Sequence, residues 1–192
     1  MATSSLKAKP VGLVLAGGHS RRYGSDKTLA VVADNQPNVV LATRRLLPYC
    51  QRVLVSATPA TRAAIAALLA PLPRTTVLTD EPAFADQGPL SGLYAASMVL
   101  AGPTAVVVTA VDYPRLPEPA LATLVAHPAS FLQDPQRAHY TLTHLVLDRE
   151  QLAHWLANHP RHRLQDFLHS LGCQPLLVAT PLVNLNHQGG TQ

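Results

Sequence analysis

The sequence predicts an α/β protein, a doubly wound three-layer sandwich in which a mostly parallel sheet lies between two layers of helices. Short apolar runs alternate along the chain with segments of helical periodicity. These runs are apolar almost throughout, which is typical of strands covered on both faces. Hydrophobic residues make up 47% of the 192 and charged residues 14%, which favours one well-buried core. We therefore expect a single domain over 1–192, with 1–9 flexible.

The first two thirds of the chain contain four strand-like runs and four helical segments. The predicted strands are 11–16, 52–57, 75–79 and 104–110. The predicted helices are 38–48, 59–70, 89–101 and 118–126. Thr58 is the predicted N-cap of the second helix, with Pro59 at its first position, and Pro89 begins the third.

The last third has a different pattern. The stretch "ASFLQDPQRAHYTLTHLVL" predicts two antiparallel strands with a turn near "QDPQRA". A helix is expected after Asp148 as N-cap, with Gln151 three residues later and a stop at Pro160. A second helix, "RLQDFLHSLG", ends at Gly172, and "QPLLVA" is expected to return to the sheet.

Composition also narrows the cellular setting. The net charge of +4 is compatible with an anionic ligand and too small to require nucleic acid. Cys50 and Cys173 lie far apart and outside any C-x-x-C pattern, so neither a disulfide framework nor a cysteine zinc site is expected. The start "MATSSLKAKP" lacks the apolar core of a signal peptide, and no run is long enough to span a membrane. The expectation is a cytoplasmic protein without membrane or nucleic-acid partners.

The stretch "LAGGHSRRYGSDKTLA", residues 15–30, follows the first predicted strand and has the composition of a phosphate-binding loop. Gly17 and Gly18 allow the backbone to approach a ligand closely. Arg21 and Lys27 supply cationic donors suited to phosphates. In a parallel sheet this loop would lie at the carboxyl ends of the strands, where ligands bind.

The spacing within this loop excludes the two commonest phosphate-binding motifs. Gly18 and Gly24 are one position too far apart for a P-loop, and Asp26 rather than glycine precedes Lys27; the dinucleotide fingerprint G-x-G-x-x-G also fails. The stretch instead resembles the signature L-A-G-G-x-S-x-R-x-G-x-D-K-x-L of nucleotidyltransferases, in particular the molybdenum cofactor guanylyltransferase (MobA-like) family, with every fixed position present.

Three later stretches extend the resemblance in family order. "TDEPAFADQGPLSGLYAA" is similar to the family's D…GPLAG segment, "TAVVVTAVDYPRLP" to its strand followed by C-D-x-P, and "VNLNH" at 183–187 to its N-x-N-T-P segment. The resemblance implies a Rossmann-like nucleotidyltransferase fold, GTP and molybdopterin as substrates, and Mg²⁺ as cofactor, with Mn²⁺ as a substitute. It also implies contacts with cofactor-biosynthesis proteins or molybdoenzyme chaperones.

The resemblance and the chemistry of nucleotidyl transfer together suggest roles for individual residues. Lys27, Arg21 and Asp112 are the candidate catalytic residues; Asp112 and Asn186, or Asn184 in its place, are candidate metal ligands. The candidate nucleotide-binding residues are Leu15, Ala16, Gly17, Gly18, Lys27, Ser56, Asp80, Gly88 and Asp112.

Two further roles concern specificity. Asp80 is suited to accept hydrogen bonds from the N1–H and amino group of guanine. Arg161 and Arg163 are candidates for contact with the anionic pterin, although a solvated helix start explains them nearly as well. His159 and His162 lack metal-ligand spacing and are expected to be surface or hydrogen-bonded histidines.

Departures from the family pattern leave alternatives open. Ser56 stands where guanylyl enzymes commonly have asparagine, "AVDYP" lacks the usual cysteine and threonine, and "HQGG" replaces Thr-Pro. A cytidylyltransferase acting on the same pterin and a sugar-phosphate nucleotidyltransferase are alternative enzymes. A GTP-binding regulatory module is the non-enzymatic alternative, which the presence of both Lys27 and Asp112 disfavours.

Overall fold

The computed structural model describes residues 8–17 and 28–185. The strands there are β1 (Val11–Leu15), β2 (Val31–Ala33), β3 (Gln36–Pro37), β4 (Val53–Ala57), β5 (Thr75–Thr79), β6 (Thr104–Ala110), β7 (Ser130–Gln133), β8 (Ala138–Leu147) and β9 (Gln174–Leu177). The α-helices there are α1 (Asn38–Leu46), α2 (Arg62–Leu69), α3 (Pro89–Met98), α4 (Glu118–Ala126), α5 (Arg149–Asn158) and α6 (Leu164–Ser170).

Seven of these strands form one mixed, mostly parallel sheet in the order β5-β4-β1-β6-β8-β7-β9. Strands β5, β4, β1 and β6 are parallel to one another. Strand β8 runs antiparallel to both of its neighbours, β6 and β7, and β9 pairs in parallel with β7 at the edge. All strands of this seven-stranded sheet except β8 therefore point in one direction, and their carboxyl ends meet at one side of the sheet.

The centre of the sheet is covered on both faces, as the sequence predicts. All five residues of β1 and all five of β4 are buried. Because successive side chains of a strand point to opposite faces, helices must cover both sides. Helices α1 and α2 contact each other, and α3 contacts α5 as well as β1, β4 and β5. The three-layer α/β arrangement is confirmed.

The strand predictions from the sequence are confirmed to within one or two residues at each end. The antiparallel pair of the last third forms β7 and β8, and "QPLLVA" does return to the sheet as β9. Asp148 caps α5 as predicted, since its carboxylate accepts the Gln151 N–H at 2.8 Å.

The predicted start of the second helix is wrong. Helix α2 begins at Arg62, with Thr61 rather than Thr58 at the cap position. The carbonyl of Thr58 accepts hydrogen bonds from the N–H groups of both Thr61 and Arg62, at 3.1 and 3.0 Å. The chain thus completes a separate turn, which contains Pro59, before the helix begins.

The small antiparallel hairpin of β2 and β3 was not predicted from the sequence. Its turn residues Asp34 and Asn35 have φ angles of 53° and 52°. Left-handed conformations at both central turn positions suit a tight hairpin, and Asp and Asn tolerate them better than most residues. The hairpin leads directly into α1.

Over the residues that the structure describes, no helix has the length and apolarity needed to cross a membrane.

Candidate functional site

The carboxyl ends of four neighbouring parallel strands bring most of the described candidate residues to one edge. Leu15 at the end of β1 is in register with Ser56 of β4 and with Ala110 of β6. Ala57 of β4 is in register with Thr79, the last residue of β5. These level strand ends form one edge of the sheet, which we call the rim, and ligands of such sheets bind at that edge.

The loop after β1 is fixed at both of its ends. Ala16 donates its N–H to the Ser56 carbonyl at 2.8 Å, and its own carbonyl accepts the Thr28 hydroxyl at 2.9 Å. Gly17 is exposed on the rim next to Ser56. Ala16 and Thr28 therefore lie together at the end of β1. Gly18, Arg21 and Lys27 stand between them in the sequence and lie outside the described residues.

Asp80 follows β5 and belongs to a polar group that we call the Asp80 cluster, consisting of Ser56, Asp80 and Asp86. The Ser56 side chain and the backbone N–H of Asp86 both donate hydrogen bonds to the Asp80 carboxylate. Burial and the nearby charge of Asp86 nevertheless raise the pKa of Asp80 above its ordinary value. The sequence indicated Ser56 and Asp80 but not Asp86.

Helix α3 packs closely against this cluster because residue 92 is glycine. A Cβ atom on Gly92 would lie 2.8 Å from both the Ser56 hydroxyl oxygen and a methyl carbon of Leu15. Leu15 is the last residue of β1 and Ser56 the second-to-last of β4, so a larger side chain at residue 92 would push the helix away from the rim. The family-like "GPLSG" segment therefore has a packing role in addition to any role in binding.

Gly88 forms the entry to α3. It has a φ angle of 60° and directly precedes Pro89, the first helical residue. An L-residue with a side chain would be strained there. The preceding Gln87 donates its N–H to the Ser91 hydroxyl at 2.8 Å, which ties the loop to the first turn of the helix.

Asp112 lies two residues beyond the end of β6 and is half-buried. Its carbonyl accepts the Leu185 N–H at 3.0 Å, and the N–H of the preceding Val111 bonds to the Leu15 carbonyl at 3.2 Å. The chain thus returns to Asp112 near its carboxyl terminus, and Asn184 is brought beside the loop that follows β6. Asn186, the other candidate ligand, lies outside the described residues.

The donor set around Asp112 is chemically suited to a hard divalent cation. A carboxylate and amide or carbonyl oxygens are the ligands that Mg²⁺ uses, together with water and substrate phosphates. Within residues 8–17 and 28–185, no three His, Cys, Asp or Glu side chains form a group able to hold a metal ion. Any cation at Asp112 would therefore draw most of its ligands from substrate, solvent and backbone or amide oxygens, as Mg²⁺ sites commonly do.

Arg161 and Arg163 are exposed and flank His162 in the loop between α5 and α6. One ring nitrogen of His162 hydrogen-bonds to the Gln87 side-chain oxygen, and the other is 2.9 Å from the Leu156 carbonyl. His162 thus connects the loop that carries Arg161 and Arg163 to the loop that enters α3. This contact was not predicted from the sequence.

His159 is also engaged within the protein. Its ring stacks on Trp155 with centroids 4.5 Å apart, and its Nδ1 is 2.8 Å from the Trp155 carbonyl. The two cysteines, Cys50 and Cys173, are buried free thiols. Burial raises the pKa of Cys50 to about 12, so that thiol is unreactive at neutral pH.

Comparison with known proteins agrees with this architecture. Residues 12–177 match the model of the MobA-like NTP transferase domain. The chain is 34% identical to the molybdenum cofactor guanylyltransferase of Rhodobacter capsulatus, over 68% of this chain and 65% of that protein. It is 30% identical to the protein of the same name from Rhizobium johnstonii, over 88% of this chain and 79% of that protein.

A solved structure shares the fold at lower sequence similarity. Rv0371C of Mycobacterium tuberculosis, determined as a complex with manganese, superimposes with a TM-score of 0.64 and 18% identity. The superposition covers 95% of this chain and 95% of that one. At this level of identity the similarity concerns the fold only.

Fold and sequence match together define an α/β nucleotidyltransferase domain. The chain belongs to the MobA-like NTP transferase domain family. It spans just under two thirds of the Rhodobacter capsulatus relative, since the alignment covers 65% of that protein.

Proposed function

We propose that this protein transfers GMP from GTP to the phosphate of molybdopterin and releases pyrophosphate. The observation that carries the proposal is the level rim, where Ser56 lies near the end of β4 and Gly17, Asp80 and Asp112 follow the ends of β1, β5 and β6. The relatives named as molybdenum cofactor guanylyltransferases support this choice of nucleotide and acceptor.

In this proposal the loop after β1 holds the triphosphate. Ala16 and Thr28, which lie on either side of this segment, hydrogen-bond to each other beside the end of β1. Lys27 and Arg21 supply the cationic donors that stabilise charge developing on the departing pyrophosphate. Such donors contribute most when they are positioned before the reaction begins.

Asp112 would hold the divalent cation, with an oxygen from Asn184 or Asn186 as a further ligand. Both Mg²⁺ and Mn²⁺ fit such an oxygen-rich set, and the cation would neutralise part of the phosphate charge. The attacking phosphate monoester needs little help from a protein base, because its second pKa is near 6 and it is largely ionised at neutral pH.

Asp80 would read the guanine base. Its carboxylate accepts hydrogen bonds from Ser56 and from the Asp86 backbone, and an ionised carboxylate has about four acceptor positions. The remaining positions suit the guanine N1–H and amino group. Adenine lacks the N1–H and would leave a desolvated acceptor unpaired, which disfavours it strongly.

Arg161 and Arg163 would contact the anionic pterin substrate. They lie in an exposed loop that the hydrogen bond between His162 and Gln87 links to the entry of α3. Guanidinium groups match phosphate geometry well.

A direct assay of products tests this function. The protein is incubated with GTP, Mg²⁺ and molybdopterin, and pyrophosphate release and the mass of the pterin product are followed. We expect stoichiometric pyrophosphate and a pterin that has gained one GMP unit. Binding of GTP without either product would favour the regulatory module, and a gain of CMP from CTP alone would favour the cytidylyl alternative.

A further inference from the structure

A buried chain of hydrogen bonds, which we call the Tyr113 network, connects Tyr113, His139 and Asp134. The Tyr113 hydroxyl is 2.9 Å from His139 Nδ1, and His139 Nε2 is 2.8 Å from Asp134 Oδ2. The His139 and Asp134 side chains are each 1% exposed. Because the Asp134 carboxylate accepts from Nε2–H, Nδ1 of the neutral ring has a lone pair and accepts a hydrogen bond from the Tyr113 hydroxyl.

The Asp134 end of the network organises two segments of backbone. One carboxylate oxygen accepts the N–H groups of Gln136 and Arg137 at 2.8 and 2.9 Å, which closes the turn between β7 and β8. The other accepts the Leu182 N–H at 2.8 Å. Burial on its own would raise the pKa of Asp134, but these hydrogen bonds and the one from His139 outweigh it and hold the pKa well below the ordinary value.

The Tyr113 end of the network lies next to the candidate metal ligands. Tyr113 directly follows Asp112, and its hydroxyl also hydrogen-bonds with the Asn184 side chain. Its carbonyl accepts a hydrogen bond from Arg45 Nη1 at 3.2 Å. The Leu185 N–H bonds to the Asp112 carbonyl at 3.0 Å, so the returning chain is attached on both sides of Asn184.

We propose that Tyr113, His139 and Asp134 are positioning residues, which hold Asn184 beside the loop of Asp112 so that both can serve a divalent cation. The inference rests on the proposed function, in which Asp112 binds that cation. Groups that orient metal ligands through hydrogen bonds commonly affect metal affinity by about 10–100-fold. A network that served only to stabilise the fold would leave the affinity of the folded protein unchanged.

The test is a Mn²⁺ titration followed by electron paramagnetic resonance, with and without GTP. It compares wild type with Tyr113→Phe, which removes one hydroxyl and keeps the ring. Tyr140→Phe is the matched control, because this tyrosine on β8 packs its ring against Phe131 and His169 outside the network. We expect Tyr113→Phe to weaken Mn²⁺ binding about 10–100-fold, and the control to stay within about twofold.

His139 provides a second, independent pair of variants. His139→Leu cannot hydrogen-bond to Asp134, whereas His139→Gln retains an N–H donor for it. We expect the leucine variant to lose Mn²⁺ affinity to the same extent as Tyr113→Phe, and the glutamine variant to recover part of it. Unfolding midpoints measured in EDTA show that each titration is performed on folded protein.

The outcomes separate this inference from the proposed function. If wild type binds Mn²⁺ and loses it in Asp112→Asn, but Tyr113→Phe and folded His139→Leu bind as tightly as wild type, the positioning role is overturned and the function stands. If wild type binds no Mn²⁺ even with GTP, the metal-dependent function fails and the inference fails with it.

Discussion

The two polar groups at the carboxyl edge of the sheet, the Asp80 cluster and the Tyr113 network, differ in how fully the protein satisfies them. The Asp80 carboxylate is half-buried, accepts two hydrogen bonds from the protein, and has a raised pKa. The Asp134 carboxylate is 1% exposed and accepts hydrogen bonds from His139 and three backbone N–H groups, and its pKa is lowered. Among the described residues, the Asp80 carboxylate keeps acceptor positions for a ligand, whereas Asp134, fully satisfied, suits the positioning of neighbouring groups.

The largest expected effect is on catalysis and concerns Lys27, in the segment that follows β1. Lys27→Ala should lower kcat by about 10²–10³-fold, because it removes a cationic donor from the departing pyrophosphate. The free energy of unfolding should change little. Lys9→Ala is the control, since Lys9 is exposed and bonds only to the Pro48 carbonyl at 2.9 Å among the contacts described. Steady-state kinetics for Lys27→Ala within threefold of wild type would contradict the role of the loop.

The next largest effect is on the free energy of unfolding, which should respond differently to substitution of Asp134 and of Asp80. Asp134→Asn should lower the free energy of unfolding at pH 7 by about 3 kcal/mol, because it removes the charge that several buried donors face. Asp80→Asn should be neutral or slightly stabilising, because the structure disfavours its charged form. Urea denaturation of both variants measures their free energies of unfolding. Equal losses in the two variants would contradict the different roles given to Asp134 and Asp80.

The pH dependence of the Asp134 effect has a defined sign. Since the folded pKa of Asp134 lies below its unfolded value, its stabilisation is complete well above about pH 4. It is lost as the pH falls through the folded pKa. The difference in free energy of unfolding between wild type and Asp134→Asn should therefore become smaller as the pH is lowered. A difference that grows on acidification would contradict a lowered pKa for Asp134.

A smaller effect is expected at His144, a buried histidine of β8 that is 4% exposed. Its Nδ1 is 3.2 Å from the Leu124 carbonyl, and its Nε2 has no hydrogen-bond partner among the described residues. Burial lowers the pKa of His144, so the folded state holds it neutral while the unfolded chain takes up a proton below about pH 6.5.

The stability that this neutral His144 contributes is therefore present above about pH 6.5 and is lost as the pH falls towards the folded pKa. The free energy of unfolding should fall by at most about 1.4 kcal/mol for each pH unit of acidification on account of His144. His144→Asn keeps a donor for the Leu124 carbonyl and should reduce the dependence of the free energy of unfolding on pH. His154→Gln, on the exposed side of α5, should leave that dependence unchanged. An unchanged slope in His144→Asn would assign the pH dependence to other groups.

Most of the fold could be predicted from the sequence because its signals are local. Apolar runs of five to seven residues define the central strands, and Asp148 and Pro89 mark helix starts by their own side chains. The β2–β3 hairpin was missed because strands of three and two residues are too short to show a period. The start of α2 was misplaced because Thr58 and Thr61 are both plausible caps.

Candidate site residues could be predicted where they lie close to the end of a strand. Asp80 directly follows β5 and Asp112 lies two residues beyond β6, and the ends of parallel strands meet at one edge. The Tyr113–His139 contact joins residues 26 positions apart, and the Gln87–His162 contact joins residues 75 apart. Asp134 carries only the signal of a turn before Pro135, so nothing local in the sequence indicates its buried partners.

The most direct test of the account is the choice of nucleotide. Calorimetric titrations of GTP, CTP and ATP with Mg²⁺, each followed by turnover with molybdopterin, are performed on wild type and Asp80→Asn. We predict that wild type binds GTP at least about tenfold more tightly than the other two, and that Asp80→Asn loses most of that preference. If CTP binds or reacts better than GTP in wild type, the guanylyl assignment is contradicted, although membership of the MobA-like NTP transferase domain family stands.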